Sequence, residues 1–237
     1  MRLGILPAAG KAERWGGYPK ELLPISQGDT LLSRSLRSLQ LCGCDNVLVV
    51  TNPSKSQLHA YHLRQCGSVL FAIQQGAELW GAISTAIQIP ADEYYLVMPD
   101  TYVPMKPLPP ILGESFYLGL FETTEPERFG AIREDRIVDK LPGEIPCLAW
   151  GTLAWKRAVA DYWQTMGYSG HTEAINDAMS VFGYGTCSLE YYYDIGSMDR
   201  YRELLLTKIS QDLPADDSRS LIGPLSSERE LDRVSDR

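Results

Sequence analysis

What the chain lacks narrows its class before any motif is read. It has five cysteines, an odd number scattered over 237 residues, so no disulfide framework is written into it, and the thiols read as reduced in a cytoplasmic setting. Histidines are scarce, three in all. Neither Cys42-x-Cys44 nor His59-x2-His62 falls at the ligand spacing of a common zinc finger, so these read as helix-end thiols and core groups. No apolar run approaches the roughly 20 residues that cross a bilayer. The start, MRLGILPAAG, holds an apolar stretch shorter than the roughly 7–15 residues of a secretory leader. Positive charge is short as well: 22 Lys and Arg face 30 Asp and Glu, a net charge of −8. A nucleic-acid surface needs clustered cations, so neither nucleic acid nor membrane is an expected partner. Any anion bound here must meet positive charge gathered locally.

What is present suits one large domain, since 44% of the residues are hydrophobic and the length can bury a full core. Short apolar runs alternate with helical patterns through the first hundred residues. RLGILPA, NVLVVTN (46–52), SVLFAI (68–73) and YYLVMPD (94–100) read as buried strands. Residues 30–42, 54–65 and 80–89 read as the connecting helices. That alternation predicts a parallel sheet with helices on both faces. The second half changes texture. Residues 115–123, 129–135, 136–142 and 147–155 are strand-like with short turns, and helices follow near 156–166 and 172–182. Strands near 185–193 and a helix from Ser197 to about Ile209 close the fold. The predicted fold class is therefore α/β, with a mixed, mainly parallel central sheet. Residues 1–210 form the domain and the polar, acidic stretch 211–237 reads as a disordered tail.

The loop after the first strand carries the chemistry. Ala8, Ala9 and Gly10 let backbone amides approach an anion, and Arg14 and Lys20 bring two cations to its oxygens. This suits a triphosphate. Neither a Walker G-x-x-x-x-G-K-[ST] nor a G-x-G-x-x-G occurs, which argues against a P-loop ATPase and a dinucleotide oxidoreductase. In a doubly wound sheet ligands bind at the carboxyl ends of strands, so loop 8–20 and loop 99–104 should share one crevice. Tyr191 and Tyr193 share a strand face and read as half-buried packing. His171 lies near the expected pocket and is given no catalytic role.

The segment A8-A9-G10-K11-A12-E13-R14 followed by P19-K20-E21-L22-L23-P24 resembles the signature of the sugar-1-phosphate nucleotidyltransferases, A-A-G-x-G-[TS]-R before P-K-x-L-x-P. Further pieces agree in order: V97-M98-P99-D100, D139-K140-L141-P142, A149-W150-G151 and Y193-D194-I195-G196-S197. The resemblance spans about residues 1–206. It implies a Rossmann-like three-layer αβα sandwich and transfer of a nucleoside monophosphate from a nucleoside triphosphate to a sugar 1-phosphate, with pyrophosphate released. It implies Mg2+ held by Asp100 and Asp194, Arg14 on the transferring and departing phosphates, Lys20 at the α-phosphate and Lys140 on the attacking phosphate. Gln75 and Gly81 would read the base, while Asp139, Gly151, Glu173 and Ser197 would line the second-substrate pocket. Association into a homo-oligomer stays an open expectation.

The chain departs from that pattern at Ala12, where the second glycine belongs, and at Glu13, where Thr or Ser is usual. The four residues between Arg14 and Pro19 are closer to relatives that use CTP on alcohol phosphates. Two alternatives therefore stand beside the main reading: a cytidylyltransferase for a small alcohol phosphate or phosphonate, and a lapsed nucleotide-binding regulator. Retention of both aspartates and both loop cations weighs against the second.

Overall fold

The computed structural model of the chain describes residues 1–212 apart from positions 65, 76, 77, 110, 112, 114 and 141–145. In chain order the strands are β1 (Arg2–Pro7), β2 (Pro24–Ser26), β3 (Asp29–Thr30), β4 (Asn46–Thr51), β5 (Val69–Ile73), β6 (Glu93–Val97), β7 (Thr101–Tyr102), β8 (Phe116–Thr123), β9 (Gly130–Arg133), β10 (Arg136–Asp139), β11 (Cys147–Lys156), β12 (Gly185–Ser188) and β13 (Tyr193–Asp194). The helices are α1 (Leu31–Leu41), α2 (Ser56–Leu63), α3 (Glu78–Ala86), α4 (Arg157–Thr165), α5 (His171–Phe182) and α6 (Met198–Asp212).

Period-two alternation along β1, β4 and β6 builds two cores on opposite faces of one sheet. Leu3, Ile5, Leu48, Val50, Tyr94 and Leu96 face one core, where α3, α4 and α5 cover them with Ala82, Val159 and Ile175. Leu6, Val47, Val49, Tyr95 and Val97 face the other, covered by Leu32, Leu36 and Leu39 of α1 and Leu63 of α2. Gly4 is small for a reason. A Cβ there would lie 3.0 Å from Leu39 Cδ1, so its absence lets α1 sit close on the sheet. Helix α1 starts at a reciprocal cap: Thr30 Oγ1 accepts from the Ser33 amide at 3.2 Å, and Ser33 Oγ accepts from the Thr30 amide at 2.8 Å.

Strands β5, β4, β1 and β6 run parallel in that order, and β11 joins antiparallel to β6. Beyond it β8 pairs antiparallel with β11, and β12 pairs parallel with β8. Strands β9 and β10 branch from the first half of β11 through Ala131 and Ala149. The Rossmann-like αβα sandwich is thus the observed architecture, with a parallel centre and a mixed flank. No helix among the described residues is long and apolar enough to cross a membrane.

Three expectations shift. The strand predicted to reach Asp100 ends at Val97, so Asp100 sits in the turn beyond it. The segment near 185–193 is two strands, β12 and β13, with an irregular link. Helix α6 continues through Asp212, past the predicted domain end at 210, and the rest of the predicted tail, 213–237, lies outside the described residues. The short pairs β2–β3 and β7–β13 were not foreseen, because two or three residues carry no readable period.

Candidate active site

Parallel pairing of β1 with β4 and β6 brings three strand ends side by side, and the segments leaving them at Ala8, Asn52 and Met98 line one cleft of about 1000 Å³. Ala8 extends the strand by donating its amide to the Val50 carbonyl at 2.7 Å. After it the backbone leaves the sheet, and among the described residues the amides of Ala9, Gly10, Lys11 and Ala12 donate to no protein group. Ala12 takes the left-handed conformation, φ 55° and ψ 36°, the backbone a second glycine would adopt with less strain. Its carbonyl accepts from Trp15 at 2.9 Å and Gly17 at 3.1 Å, which closes the turn and brings the chain back to Lys20. The result is a run of unpaired amides beside exposed Lys11 and Arg14, a ready anion cradle.

Across the cleft Lys20 forms an ion pair with Asp100. Burial opposes the lysine's charge, but Asp100, with help from Asp194 and Glu21, outweighs it and raises the ammonium pKa. Strand pairing of Asp194 with Thr101 and the Ile195 amide on the Asp100 carbonyl at 3.3 Å bring the second aspartate alongside. Asp194 accepts from Arg128 at 2.5 Å and borders a neighbouring hollow of about 480 Å³ with Arg128 and Arg200. Its carboxyl is pushed above the ordinary range by burial first and by Asp100 second, against the pull of Lys20 and Arg128. Two neighbouring half-buried carboxylates fit a hard cation, which takes one or two carboxylates and fills its remaining positions with phosphate and water oxygens. No group of three or more metal-ligating side chains occurs among the described residues.

Among the sequence-derived candidates, the structure gathers Ala8, Ala9, Gly10, Arg14, Lys20 and Asp100 in the cleft, with Asp194 next to them. Gln75 is not gathered there: it is exposed, its amide donates to Thr85 Oγ1 at 2.9 Å, and Gln74 lines the cleft instead. Gly81 is buried inside α3, where its carbonyl accepts from Thr85 Oγ1 at 2.7 Å. Asp139 ends β10 and accepts from Thr172 Oγ1 at 2.5 Å, with His171 Nε2 at 3.8 Å. Lys140 is exposed in a left-handed turn, φ 52°, and Leu141 and Pro142 of its motif lie outside the described residues. Gly151 marks a bulge in β11, and a Cβ there would lie 2.4 Å from Tyr192 Cε2. Glu173 accepts from the Ser169 amide at 2.9 Å and its hydroxyl at 2.8 Å, facing a different hollow with Tyr168 and Asp177. Ser197 caps α6 by accepting from the Arg200 amide at 3.3 Å.

The sequence reading passed over Asn52, Lys55 and Arg128. The first two follow β4, the parallel neighbour of β1, so polar residues just past that strand end were bound to meet the loop after β1.

Residues 4–102 match the model of the MobA-like NTP transferase domain, a stretch that holds the first motifs of the resemblance but not those at 139–142, 149–151 and 193–197. No curated protein sequence matches the chain. Solved structures share its fold. A Bacillus anthracis protein described as a glucose-1-phosphate thymidylyltransferase superposes with a TM-score of 0.76 at 18% identity, covering 90% of this chain and 97% of that one. The inositol-1-phosphate CTP transferase of T. maritima gives 0.68 at 16% identity, covering 90% and 98%. UTP-bound UGPase of Acinetobacter baumannii gives 0.70 at 16%, covering 88% and 93%.

Proposed function

We propose that this chain is a magnesium-dependent nucleotidyltransferase that moves a nucleoside monophosphate from a nucleoside triphosphate to a phosphorylated small molecule, a sugar 1-phosphate in the first instance. The observation that carries this reading is that Ala9–Ala12, whose amides have no protein partner among the described residues, line one cleft with Lys20 and Asp100, with Asp194 beside them. On this reading the amides receive the β- and γ-phosphates and Arg14 the transferring and departing phosphates. Lys20 meets the α-phosphate, where negative charge builds as an acceptor phosphate oxygen attacks phosphorus and the bond to the departing pyrophosphate breaks. Such transfer asks little covalent help of the protein, so positioning and charge neutralisation supply the catalysis. Asp100 and Asp194 would hold the magnesium, which when bound neutralises phosphate charge beside the reacting centre. Among the neighbours in fold are proteins described as acting on glucose 1-phosphate and on inositol 1-phosphate. The short Arg14–Pro19 spacing favours the second of these acceptor types with CTP, and it is the alternative kept here.

Pyrophosphate release with magnesium, measured for CTP, UTP, dTTP, GTP and ATP against a panel of sugar 1-phosphates and alcohol phosphates, tests the proposal. A signal that requires one triphosphate and one acceptor is the expected result. Triphosphate binding with no release for any pair would favour a regulatory binder instead.

A further inference from the structure

Beneath the cradle lies a buried charged cluster that the transfer chemistry does not use. Glu21 is 2% exposed, Lys55 4% and His59 0%. Lys55 Nζ donates to Glu21 Oε1 at 2.8 Å and to the carbonyl of Ala8 at 3.3 Å. His59 Nε2 donates to the same Glu21 oxygen at 2.8 Å, and its Nδ1 lies 2.9 Å from Thr51 Oγ1. Next to this cluster Asn52 Nδ2 donates to the carbonyl of Ala9 at 2.7 Å. That amide group is itself held, since Asn52 Oδ1 accepts from the Lys55 amide at 3.1 Å and from Ser54 Oγ at 2.7 Å.

Two consecutive loop carbonyls are thus gripped from the β4 side. A peptide unit is planar, so fixing the carbonyl of Ala8 fixes the direction of the Ala9 amide, and fixing that of Ala9 fixes the amide of Gly10. Each amide then points away from the group that holds the preceding carbonyl, and both residues line the cleft. Glu21 directly follows Lys20, so the same cluster anchors both ends of the cationic loop. Taking three ionisable groups out of water is costly, and simple packing does not call for it. We propose that Lys55 and Asn52 are positioning residues for the triphosphate cradle, with Glu21 and His59 holding Lys55 in place. This rests on the nucleotidyltransferase reading and goes beyond it, because neither residue is assigned to touch substrate.

The test uses the full chain, inorganic tripolyphosphate with magnesium as probe, and trypsin cleavage after Lys11 or Arg14 as an independent report on the loop. Lys55→Met alone strands a buried carboxylate, so the informative variant is the pair Glu21→Gln and Lys55→Met, which leaves net charge unchanged. Expected is a folded double variant that binds tripolyphosphate at least 10-fold more weakly and is cut several-fold faster in the loop. Asn52→Ala, neutral in charge and at the rim, should show the same changes at about half that size on a logarithmic scale. Its behaviour decides the matter if the double variant does not fold. Parent-like affinity and cleavage in either folded variant would overturn the proposal. A parent that fails to bind tripolyphosphate would overturn the nucleotide reading itself, and parent-like cleavage in the variants would then separately remove the clamp.

Discussion

At the residue scale, burial and partner charge set how each acid behaves. Burial alone would raise the Glu21 carboxyl, but His59 and Lys55 outweigh it and hold it below its ordinary value of 4.5. A folded-state pKa below the unfolded one contributes stability that is present above about pH 4.5 and is lost as pH falls through the folded value. Glu21→Gln should therefore flatten the acid limb of a urea-midpoint against pH curve below that point, and an unchanged limb would contradict the assignment. Asp194 carries the opposite sign: its raised carboxyl makes folding less favourable as pH climbs through its folded value. Asp100→Asn should leave the fold intact and remove several kcal/mol of transition-state stabilisation, as loss of a metal ligand does. Arg14 is exposed, so Arg14→Ala should slow turnover while changing stability by no more than about 0.5 kcal/mol. Turnover kinetics beside thermal unfolding check both, and normal turnover in Asp100→Asn would remove the metal assignment. That Ala8, Ala9, Gly10, Arg14, Lys20 and Asp100 share a cleft was legible because they follow apolar strands whose ends the topology brings together. Gln75 lies outside the cleft and Gln74 lines it, because successive residues near a strand end point in opposite directions.

At the element scale, β11 is the hinge between the parallel centre and the mixed flank, paired with β6 over its second half and with β8 along most of its length. Gly151 sits at its bulge, where Tyr192 packs against the missing Cβ and stacks on Phe121 at 4.1 Å. Gly151→Ala should cost on the order of 1–3 kcal/mol by overpacking, seen as a lower urea midpoint with a changed near-ultraviolet aromatic signal. An unchanged midpoint would mean Tyr192 yields freely. The resemblance offers Gly151 for the second-substrate pocket; a glycine inside a strand marks a bulge or a close approach, and here it marks both. Long periodic elements were readable throughout. What was not readable was which loop from the second half would reach the cleft, since short motifs there depend on register, and one residue of slip moves a side chain to the other face. Asp194 arrives through the two-residue pairing of β13 with β7, which no periodicity announces.

At the scale of the whole molecule, a chain of net charge −8 presents a local exception at the carboxyl edge of its parallel strands. The cleft there is lined by Lys11, Arg14, Lys20 and Lys55 against Glu13, Glu21, Glu78 and Asp100, and with Lys20 paired to Asp100 and Lys55 to Glu21, a polyanion entering it would meet its positive charge chiefly at exposed Lys11 and Arg14. In the proposed reaction the bond broken lies between the α- and β-phosphates. Incubation with magnesium, α-³²P-labelled triphosphates and phosphorylated acceptors checks this by following where the label goes. Label is expected in a new nucleotide–acceptor product, with unlabelled pyrophosphate released in equal amount. Label appearing only as nucleoside diphosphate, with inorganic phosphate released, would show cleavage at the wrong bond and contradict it.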